Sequence, residues 1–158
     1  MSIRNVAAMI GLLVLFPASA APGQTVQEHV HHMAPRVMPF DVSKALHIFR
    51  MTDSGGEQRV IARDPRNLRE VALIRQHLRH EAIRFQRGDY SDPAALHGAD
   101  MPGLAELEAG ASRIRVSYAD VPAGGALTFR TNNRHLITAI HRWFGAQLSE
   151  HGADAKAE

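Results

Sequence analysis

Ten histidines and six methionines in a chain of 158 residues without cysteine set the chemistry to look for first. Imidazole is the commonest biological metal ligand, and a thioether favours Cu(I). The densest group is His29-x-His31-His32-Met33. On a flexible arm, three imidazoles so close in sequence can wrap one ion. Cu(II), Ni(II) and Zn(II) all accept that set, and Met33 or Met38 adds a ligand for Cu(I). The bland reading is a surface arm, because a compositional signal of this kind also arises without a site.

Three further groups carry chemistry. His77 and Glu81 stand at i and i+4, so they share one side of a helix, while His80 points further outward. They share a metal, or Glu81 simply orients His77 through a hydrogen bond. His97, Asp100 and Met101 sit in a loop shaped by Gly98, Pro102 and Gly103. There they close a site, or Asp100 bonds its own backbone and Met101 plugs the core. His141 lies at the edge of a later helix, and His151 falls on that helix's apolar stripe, where it caps the C-terminus. Acid–base work by His97 with Asp100 or Glu81 fits these residue types. Ser91 and Ser112 lack a Gly-x-Ser-x-Gly context, and Gly55-Gly56 and Gly124-Gly125 read as hairpin turns rather than phosphate loops.

These groups need elements to position them. Ala45 to Thr52 reads as a strand, Asp53-Ser54-Gly55-Gly56 as a turn, and Gln58 to Arg63 as the returning strand. Asp64 then caps a helix that Pro65 opens. Leu68, Val71, Ile74, Leu78, Ala82 and Phe85 form its apolar stripe, and Gly88 stops it. The order recurs. Arg113 to Tyr118 and Ala126 to Arg130 flank the turn Pro122-Ala123-Gly124-Gly125. Thr131 or Asn132 caps a helix to about Ser149, with Leu136, Ile140, Trp143, Phe144 and Gln147 inward. Ile74 and Leu78 correspond to Ile140 and Phe144. The expectation is an α+β fold of two ββα units, a hairpin plus helix twice, around one antiparallel sheet. That domain spans residues 44–150, with a connector over 88–110 and an irregular, proline-punctuated arm over 21–43.

Residues 1–20 read as a secretory signal. Arg4 supplies the positive start, Val6 to Phe16 an apolar run too short to span a bilayer, and Ala18-Ser19-Ala20 the cleavage site. The mature chain is therefore expected in the periplasm or outside the cell, without stable membrane insertion. A net charge of +2 gives no electrostatic case for nucleic acid. Without cysteine, the domain has no disulfide and relies on its core.

The segments Met38-Pro39-Phe40-Asp41, Ala72-Leu73-Ile74-Arg75-Gln76-His77-Leu78, Gly88-Asp89-Tyr90-Ser91-Asp92-Pro93, His97-Gly98-Ala99-Asp100-Met101-Pro102-Gly103-Leu104 and Trp143-Phe144-Gly145-Ala146-Gln147-Leu148 span most of the mature chain. They resemble a family of small exported bacterial proteins whose members often carry the label aspartate carbamoyltransferase. The resemblance implies no established activity. Carbamoyltransferases proper are much longer and use a Ser-Thr-Arg-Thr phosphate loop, which this chain lacks. What the resemblance adds is a focus on His77, His97, Asp100, Met101 and His141.

The function expected from these residues is an exported metal-binding protein. Copper is the favoured ion, then zinc or nickel, with ligands from His29, His31, His32, Met33, His77, His97, Met101 and His141. Two alternatives differ in class. One is a small-ligand binder or enzyme with a His/Asp site in the connector. The other is a structural or adaptor protein whose repeat offers a homodimer surface.

Overall fold

The computed structural model describes residues 25–158, and the export signal expected over residues 1–20 lies outside them. The expected hairpins form with β1 (Ala45–Thr52) paired to β2 (Gly55–Ala62), and β3 (Arg115–Val121) to β4 (Gly124–Arg130). Antiparallel pairing of β2 with β4 joins them, placing Gln58 opposite Leu127 and Gly56 opposite Phe129. The sheet order is β3-β4-β2-β1-β5. The edge strand β5 (Ala155–Ala157) runs parallel to β1, which makes the sheet mixed. Three residues are too few to leave a periodic signal in the sequence.

Each hairpin leads into a long helix, α2 (Leu68–Gln86) or α5 (Arg134–His151), and both cover the same face of the sheet. The fold is α+β. The helices are exchanged: α2 packs on β3 and β4, and α5 on β1 and β2. The glycine pairs make room for them. A Cβ on Gly56 would collide with the Phe144 ring of α5, and a Cβ on Gly125 would press on Leu78 of α2. The correspondence of Leu78 with Phe144 is thus structural: each fills the pocket over the other hairpin's glycine.

Helix starts differ from expectation by a few residues. Asp64 accepts from the Arg66 N–H and closes a turn, so Asn67 caps α2 through the Glu70 N–H and Leu68 stays exposed. Asn133 does the same for α5 through the Leu136 N–H. The expected inward residues of α5 are all buried. The connector holds α3 (Ser91–His97) and α4 (Leu104–Gly110). Gly103 precedes α4 at φ +88°, where its backbone lies against the Ala139 carbonyl of α5. From Thr25 on, the arm is largely helical rather than irregular. It forms α1 (Val26–Met33), which opens on a reciprocal cap between Thr25 and Glu28. Val30 and Ala34 pack with Val42 and Leu96 in a small second cluster beside the main core.

Candidate functional site

The exchange of helices sets α2 and α5 side by side over the β2–β4 seam, and the chemistry collects between them. His77, Glu81 and Phe85 repeat every four residues on α2. Trp143, Gln147 and His151 repeat every four on α5, each at the same offset from its counterpart as Ile140 is from Ile74. Both triplets line one partly open cavity of about 40 Å³. Gln58 and Leu127, register partners at the seam, form its floor. One wall comes from α3 and the arm, through His97, Leu96, Val37 and Met38. His47 enters from β1, whose alternation sends Ala45, His47 and Phe49 inward.

Four histidines therefore share a cavity. The His47 and His151 rings stack with centroids 4.3 Å apart, and His97 meets His151 edge-on at 5.0 Å. His77 packs edge-on against Phe40 at 5.6 Å. Burial holds all four below the ordinary imidazole range. His47 and His77 are each pushed down to about 4, and His151 lies well below its usual value, with burial reinforced by His47 and His97. All four rings are neutral at pH 7.

Two acidic side chains belong to the site, one bonded to a ring and one to Arg84. Glu150 takes a hydrogen bond from His97 Nδ1 at 2.6 Å, which leaves Nε2 as the ring's lone pair. Glu81 is buried to 3 % exposure and shares the Arg84 Nη1 with Asp92. Asp89 occupies the rest of that guanidinium. Burial, then the neighbouring Asp92 charge, pushes the Glu81 carboxyl up to about 8, so it is protonated at neutral pH.

Four buried polar atoms on the cavity residues have no hydrogen-bond partner: His47 Nδ1, His151 Nδ1, Trp143 Nε1 and Gln147 Nε2. The indole and carboxamide nitrogens can only donate. Outside the cavity, the Tyr90 hydroxyl is unpartnered as well.

Of the expected metal ligands, the cavity receives His77 and His97. His31 leaves the group because the arm is a helix and residues one or two apart on a helix face different ways, while His29 and His32, three apart, share a side. His29 and His32 are exposed, while His31 Nε2 lies 2.6 Å from Asp154 Oδ2. Met33 packs against the small cluster, and Met101 is 5 % exposed within the main core. Asp100 is exposed on its loop. His141 clamps the first hairpin, its Nε2 donating toward the Thr52 and Gly55 carbonyls at 3.0 and 2.8 Å. Among the described residues, no three His, Asp or Glu side chains are arranged to hold one metal ion. His47, Gln58 and Glu150 were not among the expected residues. The strand alternation that exposes Arg50 and buries Phe49 is the signal that would have placed His47 inside.

No family model, curated protein or solved structure matches this chain. Among the described residues, no helix is long and apolar enough to cross a membrane.

Proposed function

We propose that this chain binds a small, uncharged, acceptor-bearing molecule in the cavity between α2 and α5. The observation that carries the reading is the set of four unpartnered polar atoms on the residues that line it. Leaving each buried without a partner costs about 1–3 kcal/mol. Four together approach the whole stability of a domain, which is about 5–15 kcal/mol. An occupant with oxygen acceptors satisfies Trp143 Nε1 and Gln147 Nε2, and the neutral imidazoles adapt as donors or acceptors. Burial disfavours a permanent charge, and Asp92 on the wall repels an anion. With residues 1–20 read as an export signal, the ligand is one met outside the cytoplasm.

A second reading keeps the metal. It rests on residue type alone, the imidazoles being suited to a copper, zinc or nickel ion, since no three described side chains are arranged to hold one. It comes second because indole and protonated carboxamide nitrogens do not ligate metals, so Trp143 and Gln147 gain nothing from an ion. Native mass spectrometry of the purified chain separates the two, against a variant with Gln147→Leu and His151→Phe. A retained organic mass lost in the variant supports the first reading. Stoichiometric metal supports the second. A bare chain whose melting temperature responds neither to small polar molecules nor to these metals refutes both.

A further inference from the structure

We infer that the cavity is an acid–base site that enolises a small carbonyl compound, with the His97 imidazole as base and the Glu81 carboxyl as acid. The inference rests on the ligand reading above and names its substrate class.

The base is set by geometry. His97 ends α3 with its side chain 1 % exposed, and Glu150 on α5 fixes its tautomer through Nδ1. The remaining nitrogen, Nε2, is the unprotonated one. Glu150 also stabilises the imidazolium formed when Nε2 takes a proton, so it is a positioning residue.

The acid is set by competition for one cation. Three carboxyls, those of Glu81, Asp89 and Asp92, surround the one guanidinium of Arg84. Their side chains are 4 %, 47 % and 25 % exposed respectively. Asp92 takes the same Nη1, so Glu81, the most buried of the three, has no cation to itself and keeps its proton. Glu81 lines the cavity as His97 does. His77 stands one turn before Glu81, and His47 and His151 face the same space. None of these three brings a charge to compete with the pair. The carbonyl oxygen meets the Trp143 and Gln147 donors, which strengthen their bonds as negative charge develops on it.

The step balances within the cavity. The C–H bond next to the ligand's carbonyl breaks, and its proton goes to His97 Nε2. The electron pair left on carbon forms the C=C bond, and the carbonyl π pair takes the Glu81 proton to give the enol. Glu81 is left as carboxylate beside Arg84, and His97 as imidazolium against Glu150. Reversal restores both groups without any further reactant, and in D2O the carbon regains deuterium.

Hydroxyacetone and dihydroxyacetone are the probes, small enough for a cavity of a few heavy atoms. Proton NMR in D2O reads exchange, and fluorescence of Trp143, the chain's one tryptophan, reads binding. The wild-type chain is expected to exchange C–H for C–D above the buffer rate. His97→Gln and Glu81→Gln should each lower that rate about 100-fold or more while the fluorescence response persists. Glu150→Gln should slow exchange and move the acid limb of its pH profile downward, which loss of packing alone does not do. Saturable fluorescence with exchange no faster than in His97→Gln overturns the proposal, as does full exchange in both variants. No fluorescence response to either probe overturns the carbonyl assignment, while the retained-mass experiment decides the binding reading independently.

Discussion

The protonation states in the cavity dictate how stability varies with pH, and the two kinds of group act in opposite directions. His47 and His77 have folded values of about 4 against an ordinary 6.5. Between those limits the unfolded chain binds their protons and the folded chain does not, so stability rises with pH. Each contributes about 1.4 kcal/mol per pH unit. His97 and His151, also lowered, add to the same slope. Glu81 is shifted from 4.5 up to about 8. From the lower to the higher value the folded chain holds the extra proton, and stability falls as pH rises, again by about 1.4 kcal/mol per unit. Below pH 6.5 the histidines outweigh Glu81; above it Glu81 acts alone. Stability should therefore peak near pH 6.5 and drop by about 2 kcal/mol at pH 8, and by at least about 2 at pH 5. Urea midpoints followed by Trp143 fluorescence at pH 5, 6.5, 8 and 9 give the curve. Glu81→Gln should remove the alkaline limb and keep the acid one. A midpoint that rises from pH 6.5 to 8 refutes the protonated Glu81, and a flat line from pH 5 to 6.5 refutes the neutral imidazoles.

Three further outcomes test separate parts of the account. His141→Ala unclamps the carbonyls of Thr52 and Gly55 and should cost about 1–2 kcal/mol in urea unfolding. It should leave the retained mass unchanged; loss of that mass would return His141 to the site. Ala123→Gly relieves a non-glycine residue at φ +61° and should raise stability by about 1 kcal/mol, read from the melting temperature. Gly103→Ala combines φ +88° with a Cβ driven into the Ala139 carbonyl. It should lower stability by more than about 2 kcal/mol, and an unchanged urea midpoint would contradict the close packing of α4's start on α5.

Elements with a strong period were legible in the sequence. The stripe through Val71, Ile74, Leu78 and Phe85 and that through Leu136, Ile140 and Phe144 predict the helices whose buried faces they form. Both hairpins were legible, but their paired glycines open β2 and β4, and the turns are Asp53-Ser54 and Pro122-Ala123. In the arm, prolines that signal an irregular segment compete with the Thr25-x-x-Glu28 pattern, which is a helix start. The helix decides the chemistry too, since it cannot aim His29, His31 and His32 at one point. Within the site, His77 and His97 were legible as residue types in structured positions. His47 was not, because a lone histidine in an apolar strand looks like any other residue until its neighbours are known. Glu150 was hidden for a different reason. Its partnership with His97 crosses from α5 to α3, and no local spacing encodes it.

The near-repeat of the two halves explains why the polar groups end up together. Exchange of the helices puts equivalent positions of α2 and α5 on either side of one seam. In a repeat kept only for packing, positions 77, 81 and 85 would match 143, 147 and 151 as apolar pairs, as Ile74 matches Ile140. Instead His77 matches Trp143, Glu81 matches Gln147, and Phe85 matches His151. At all three places both residues are large, and at least one is polar. Apolar side chains there would bury the same area without orphaned donors or a raised carboxyl, and would stabilise the fold. Leu78 and Phe144, one residue along from His77 and Trp143, keep their packing roles over Gly125 and Gly56. A cost in stability concentrated at one place on an otherwise consistent frame is what a binding site looks like in physical terms.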